Sequence, residues 1–209
     1  MMTDNRDKLR AVDCISLREE KKITVADRVR VIDDNCFAGF DRLTEVVFSP
    51  SVERVRSGAF TCCTSLSNVR FNAGLRHVGS SAFEGCVSLK NLQLPPTVTK
   101  LSSMAFRSCH SLEVVVLPSG ITELFKETFA ECLSLKKVVL PPNLLRIGLD
   151  AFRGCSGISE IEIPKSVIRI EQGAFGGCKL SKIRLSRLLS PYVEVAFDPD
   201  RLACIEYYD

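Results

Sequence analysis

The amino-acid chain has 209 residues, of which 45% are hydrophobic and 25% charged, a composition typical of one compact domain or a modest repeat array. Its 28 basic and 25 acidic residues nearly balance, and no five like charges stand in a row, so we expect no nucleic-acid partner. The apolar runs are only a few residues long, which excludes a membrane-spanning helix, and we expect no membrane insertion.

The N-terminal segment DNRDKLRAVDCISLREEKK is strongly charged. The end units of a repeat protein need a polar outer face, because they would otherwise expose core residues. We therefore predict a partly helical N-terminal cap over residues 1–22. The start of the chain lacks the apolar segment of a secretory signal, which predicts a cytoplasmic protein, with the cell surface as the alternative if the sequence is a piece of a longer one.

A fixed period follows this segment. A phenylalanine returns at one constant interval, six times within the pattern Ala/Thr-Phe-x-x-Cys, and the apolar positions around it keep step. The interval falls in the range of about 20–29 residues that, with leucine-like positions, indicates a leucine-rich-repeat solenoid, in which stacked units bury one another's apolar faces. We predict a β-dominated solenoid of the α/β class over residues 23–185, with seven full repeats. The phenylalanines are Phe37, Phe60, Phe83, Phe106, Phe129, Phe152 and Phe175.

One repeat divides into two extended pieces and a corner. In SLEVVVLP, Val115 and Leu117 alternate inward, which predicts a short strand that ends at the proline. The segment ITEL supplies Ile121 and Leu124 to the opposite wall of the coil. The segment ETFAEC predicts a tight helical or 3₁₀ corner, with Phe129 filling the middle and a cysteine beside it.

The C-terminal end departs from the period. One residue is lost after Cys178, and Phe197 then follows Phe175 one position earlier than the constant interval requires. Leu202, Ile205 and Tyr207 continue the apolar pattern. We therefore predict a degenerate eighth repeat and a C-terminal cap over residues 186–209.

The ten cysteines allow two interpretations. Six share one repeat position, which favours a ladder of small buried thiols, whereas zinc would need thiolates and imidazoles that converge. Rungs about 5 Å apart also exceed the ~3.8 Å between the Cβ atoms of a disulfide. We predict no metal and no cofactor, and free thiols in a reducing compartment. Of the ten cysteines, Cys62 is the candidate for an exposed, reactive thiol. The ladder comprises Cys63, Cys86, Cys109, Cys132, Cys155 and Cys178.

Catalytic motifs are missing from the sequence. It contains no G-x-G-x-x-G, P-loop, G-x-S-x-G or H-E-x-x-H. The only histidines, His77 and His110, stand at non-equivalent outward positions and give no partner to a nucleophile. Tryptophan is absent, which argues against a stacking platform for single-stranded nucleic acid. We predict that the protein is not an enzyme.

The motif C-x-S-L-x-x-V-x-L-P-x-x-V-x-x-I-x-x-x-A-F, clearest over residues 86–106 and 109–129, resembles the BspA-like leucine-rich-repeat family. The resemblance covers residues 23–185. It implies a right-handed solenoid that binds proteins, often as an adhesin for host matrix proteins. Surface members of that family carry an export signal or a membrane anchor.

The outward residues of the first strand in each repeat are the predicted binding face, because in a solenoid they tile one continuous concave sheet. The centre of that face is apolar and its surround is polar and charged, as in protein-binding sites. The alternative is that β-branched residues stand there because they favour strands. The predicted protein-binding residues are Arg70, Gln93, Val114, Val116, Lys137, Val139 and Glu162.

A second apolar set occupies positions that are mostly polar in the other repeats: Phe125, Leu133, Leu145, Leu149 and Ile168. We favour a local supplementary core over a self-association surface, and expect a monomer. Two functions remain, each with a protein partner of unknown identity. The first is a non-catalytic protein-interaction scaffold inside the cell, and the second is a cell-surface or secreted adhesin of the BspA-like type.

Overall fold

A computed structural model describes residues 7–208 of the chain. Residues 1–6 of the predicted N-terminal cap and Asp209 of the predicted C-terminal cap lie outside the described residues. The described strands are β1 (Lys8–Leu9), β2 (Lys22–Thr24), β3 (Val31–Ile32), β4 (Glu45–Val47), β5 (Arg54–Val55), β6 (Asn68–Arg70), β7 (His77–Val78), β8 (Asn91–Leu92), β9 (Lys100–Leu101), β10 (Val114–Val116), β11 (Glu123–Leu124), β12 (Lys137–Val139), β13 (Arg146–Ile147), β14 (Glu160–Glu162), β15 (Arg169–Ile170), β16 (Lys182–Ser186) and β17 (Ile205–Tyr208).

The strands lie in two columns along the coil, and within each sheet a strand pairs in parallel with its equivalent in the next repeat. The first strands of the repeats form the strand face, which consists of three sheets: β2-β4-β6, β8-β10-β12 and β14-β16-β17. The second strands form the second face, with the sheets β1-β3-β5-β7-β9 and β11-β13-β15. The register follows the repeat, since Val114 pairs with Lys137 and Val116 with Val139. The predicted β-dominated repeat solenoid is confirmed.

The core is a stack of phenylalanine rings. Consecutive rings from Phe37 to Phe175 are stacked with centroids 5.0–5.6 Å apart, and each of these side chains is buried. Phe197 continues the stack 4.9 Å beyond Phe175, as the degenerate eighth repeat predicts. Because each ring contacts the rings above and below, no single repeat completes its own core.

The corner around each phenylalanine differs from the helical or 3₁₀ corner that we predicted. It consists of turns in which the residues two before and two after the phenylalanine have positive φ in all seven repeats, for example Glu127 (54°) and Glu131 (60°) around Phe129. Positive φ breaks a helix but turns successive N–H groups toward the next repeat. Accordingly, Phe129 N donates to Ala151 O at 2.9 Å, and Glu131 N to Arg153 O at 2.7 Å. The corner is therefore a third hydrogen-bonded ladder.

The cysteine ladder packs behind the phenylalanines as predicted, and all six thiols are free and buried. Each Sγ also donates to the backbone oxygen of the phenylalanine in the preceding repeat, at 3.0–3.3 Å. Burial raises the pKa of these thiols, that of Cys63 to about 12. The ladder thus consists of protonated donors, and the predicted exposure of Cys62 is confirmed.

Short helical segments lie near both ends. The predicted N-terminal cap contains α1 (Ala11–Cys14), a 3₁₀ segment at Ile15–Leu17 and strand β1, which pairs with β3. At the other end are the 3₁₀ segments Arg187–Tyr192 and Pro199–Cys204, with α2 (Val193–Ala196) between them. Strand β17 then pairs with β16. The boundaries at residues 22 and 185 remain predictions.

Candidate functional site

The apolar centre of the strand face lies on the middle sheet. Val114, Val116 and Val139 expose 40%, 54% and 40% of their surface, because inward and outward side chains alternate along β10 and β12. Val116 is the register partner of Val139, and Val114 is that of Lys137, so these four side chains are neighbours. Their predicted exposure and pairing are confirmed.

The other predicted residues are exposed but lie on other parts of the face. Arg70 is in β6 and contacts Glu45 (Nε to Oε1, 2.9 Å), while Glu162 is in β14 and contacts Arg184 (Oε2 to Nη1, 3.3 Å). Gln93 directly follows β8. Arg70 and Glu162 therefore belong to neighbouring sheets, and the structure separates them from the valine centre.

A break in the ladder creates a cleft beside that centre. Strands β12 and β14 are not hydrogen-bonded to each other and end their respective sheets. Val138 occupies an inward position whose equivalents are buried, yet it is partly exposed at this break. The cleft has a volume of about 640 Å³ and is lined partly by the predicted residues Lys137, Val139 and Glu162.

Sequence reasoning missed the rest of the cleft. Its lining combines aliphatic side chains and prolines with side chains of both charges. Lys182 contacts Glu206 (Nζ to Oε2, 3.5 Å), and Arg184 contacts Glu162. The repeat length is the same on both sides of the break, so the period carried no signal of it. The lining residues outside the predicted binding set are Lys136, Val138, Leu140, Pro142, Ser159, Glu160, Ile161, Pro164, Lys182 and Arg184.

The chemistry of this site suits contact with another molecule's surface. Its lining contains aliphatic side chains, prolines, lysines, an arginine, glutamates and one serine, with no histidine or cysteine. Across residues 7–208, no group of three or more His, Cys, Asp and Glu side chains is placed to hold a metal ion. An apolar centre with a charged rim is the usual anatomy of a protein interface.

The second apolar set does not form the supplementary core that we favoured. Leu133, Leu145 and Ile168 are exposed, Phe125 and Leu149 are half-buried, and none belongs to the buried core. The reason is their position: they lie at outward slots on different sides of the coil. Self-association through Phe125 remains a prediction.

The histidines differ from each other. His110 is exposed, whereas His77 is half-buried in β7 with its Nε2 2.9 Å from Ser102 Oγ. Burial, together with the nearby cations Lys100 and Arg54, lowers the pKa of His77. Neither histidine touches a cysteine of the ladder in any described contact. No helix among the described residues has the length and apolarity that crossing a bilayer requires.

The chain matches a known family of repeat proteins. The model of the family described as "BspA type Leucine rich repeat region" matches residues 14–136 and 122–206, with six copies. No curated protein sequence matches the chain.

Solved structures resemble it as well. A leucine-rich cell surface protein of Faecalibacterium prausnitzii A2-165 is 32% identical over 79% of this chain, with a TM-score of 0.75. The match spans 47% of that protein, so this chain corresponds to about half its length. A leucine-rich repeat protein of T. pallidum is 29% identical over 77% of this chain and 78% of its own, also with a TM-score of 0.75.

A leucine-rich repeat protein of Bacteroides ovatus ATCC 8483 shares the fold at 22% identity, with a TM-score of 0.56 over 90% of this chain and 66% of its own. The family match extends over most of the described repeats, and the phenylalanine stack and strand ladders supply the structure that those repeats require. The chain belongs to the BspA-type leucine-rich repeat family.

Proposed function

We propose that this protein is a non-catalytic scaffold that binds a partner protein through the strand face, with Val116 and Val139 at the centre of the contact. One observation carries the proposal: three exposed valines stand side by side next to a cleft lined in part by charged side chains. A contiguous exposed apolar patch with a polar rim marks a protein-binding surface, unlike apolar side chains scattered singly. The repeat family of the chain, made up of protein-interaction and surface repeat proteins, supports the same class of function.

The test uses the two central valines. Val116→Glu and Val139→Glu place a carboxylate where a partner would bury it unpaired, so affinity should fall about a hundredfold or more. Ile168→Glu is the matched control, since Ile168 is 70% exposed but lies away from the strand face. The partner is captured from the source cell, identified by mass spectrometry and titrated by calorimetry.

Stability is measured on the same three variants. Each should change the free energy of unfolding by about 1 kcal/mol or less, because exposed substitutions rarely do more. Unchanged affinity of the folded Val116→Glu and Val139→Glu variants would move the contact to another face. Loss of folding in these two variants would instead contradict the assignment of Val116 and Val139 to the outward side of β10 and β12.

A cell-surface or secreted adhesin is the second candidate. It is favoured by the similarity to the F. prausnitzii cell surface protein. The ten free cysteines favour the intracellular scaffold, since free thiols persist in a reducing compartment. Alkylation of the protein during isolation from its source cell, followed by thiol counting, distinguishes the two: ten free thiols support the scaffold, and oxidised thiols support the adhesin.

A further inference from the structure

The second face carries a column of basic side chains. Arg54 pairs in register with His77, and His77 pairs in register with Lys100, on the adjacent parallel strands β5, β7 and β9. Rungs of a parallel sheet are about 4.8 Å apart, so these three side chains stand in a row. We call Arg54, His77 and Lys100 the basic column.

The protein does not neutralise this column with its own carboxylates. In the described part of the chain, no Asp or Glu oxygen lies within 4.0 Å of the Arg54 or Lys100 nitrogens. The acidic groups on the neighbouring strands are already engaged. Glu53 contacts Arg30, Asp33 contacts Arg56 at 2.6 Å, and Glu123 contacts Arg146 at 3.3 Å.

The same face offers a direct comparison. Arg146 and Arg169 are also register partners with like charge, on β13 and β15. There, however, Glu171 lies 3.8 Å from Arg146 Nη1 and 3.7 Å from Arg169 Nε, and Glu123 adds a further contact to Arg146. The chain thus supplies carboxylates to one like-charged pair and leaves the basic column without them.

Further basic side chains lie beside the column. Arg76 lines a cleft of about 400 Å³ together with Arg28 and Arg30, and the same cleft holds the carboxylates of Asp27 and Glu53, of which Glu53 contacts Arg30. At the other end, Lys100 Nζ lies 5.4 Å from the ring centroid of the half-buried Phe125.

We propose that the basic column binds an acidic segment of a partner polypeptide, at a site separate from the strand face. The uncompensated cations select a negatively charged ligand. Phe125 adds an apolar contact at the end of the column, which fits a peptide with mixed acidic and apolar side chains. A single-stranded nucleic acid would instead use aromatic stacking platforms, and a duplex would use several Lys and Arg contacts to its phosphates. The column offers only Phe125, which already lies under Lys100.

His77 should make this binding depend on pH. The charged groups that face it are Arg54 and Lys100. Burial, followed by Lys100 and Arg54, lowers the pKa of His77, which disfavours the protonated ring in the unbound protein. A carboxylate placed against it favours the protonated ring, so binding takes up a proton. Affinity should therefore rise as the pH falls from 8 to 6, where glutamate stays ionised.

The experiment measures binding of a capped, fluorescent hexaglutamate peptide by anisotropy at low ionic strength. The double variant Arg54→Gln/Lys100→Gln should weaken binding about tenfold, the sum of two charge contacts. The matched control Arg153→Gln/Lys179→Gln removes two exposed charges elsewhere and should change it by less than about twofold. Wild-type affinity should rise about threefold from pH 8 to pH 6, and His77→Gln should remove that rise.

Two results would overturn the proposal: no binding of hexaglutamate, whether or not dextran sulfate binds, or equal weakening by the control pair. The test is independent of the proposed function. Val116→Glu lies on the strand face and should leave hexaglutamate binding unchanged, whereas the Arg54→Gln/Lys100→Gln variant should keep the strand-face partner.

Discussion

The phenylalanine stack and the cysteine ladder are the two columns of side chains that stabilise this coil. Phe129 is fully buried between Phe106 and Phe152, with ring centroids 5.6 Å from each. Behind it, Cys132 is equally buried and donates to Phe106 O at 3.3 Å. A change at either column therefore affects three repeats at once.

Phe129→Ala should lower the free energy of unfolding by about 3–5 kcal/mol, because the removed ring leaves a cavity in the middle of the stack. The control is Phe125→Ala, whose half-buried ring lies at the surface beneath Lys100. That control should lose about 1 kcal/mol. The measurement is urea denaturation of both variants, and equal losses would show that the stack does not hold the repeats together.

The buried thiols should make the protein unstable in alkali. Their pKa is raised by burial, that of Cys63 from 9.0 to about 12, so the folded state keeps protons that the unfolded state releases. Their contribution is complete below pH 9 and is lost as the pH rises through the raised pKa of each thiol, which for Cys63 is about 12. Between pH 9 and its own raised pKa, a thiol should lower the free energy of unfolding by up to about 1.4 kcal/mol per pH unit.

Cys132→Ser tests this dependence, because serine retains a donor for Phe106 O and does not titrate in that range. Urea denaturation at pH 8, 9, 10 and 11 gives the slope for each protein. The free energy of unfolding of the variant should fall less steeply with pH than that of the wild type, and the difference in slope should equal the contribution of one thiol. Identical slopes would mean that the ladder thiols do not remain protonated in the fold.

At the scale of the element, the corner turns depend on left-handed backbone. Glycine fills six of the fourteen left-handed positions, among them Gly177 (φ 73°), whereas Ser108 (φ 56°) holds the equivalent position of another repeat. A residue with a Cβ is strained there, and glycine is not. These glycines are the sequence signal that would have predicted turns in place of a helical corner.

Gly177→Ala should therefore cost about 1–2 kcal/mol through its backbone alone. Sterics do not contribute, since the added Cβ would have no neighbour closer than 3.5 Å. Ser108→Ala keeps the same strain and should change stability by less than about 0.5 kcal/mol. Thermal unfolding of both variants checks this contrast. A neutral Gly177→Ala would show that the corner relaxes out of the left-handed region.

At the scale of the whole molecule, repetition decides what the sequence could predict. Equivalent positions recur at the same interval in the repeats. Alignment of the repeats therefore predicted that Phe129 and Cys132 are buried and that Val116 is exposed. The thiol hydrogen bonds did not follow, because each joins a cysteine to a phenylalanine of the preceding repeat, and that contact depends on the corner geometry. The cleft between β12 and β14 did not follow either, because the break leaves the repeat length unchanged.

The central claim, that the strand face is the binding surface, is tested most directly by hydrogen exchange with mass spectrometry. The rates are compared for the chain alone and for its complex with the captured partner. The account predicts slower exchange in the complex for peptides that contain β10, β12 and β14, and unchanged exchange at the corner turns. Slower exchange confined to the second face or the corner, with β10 and β12 unchanged, would contradict it.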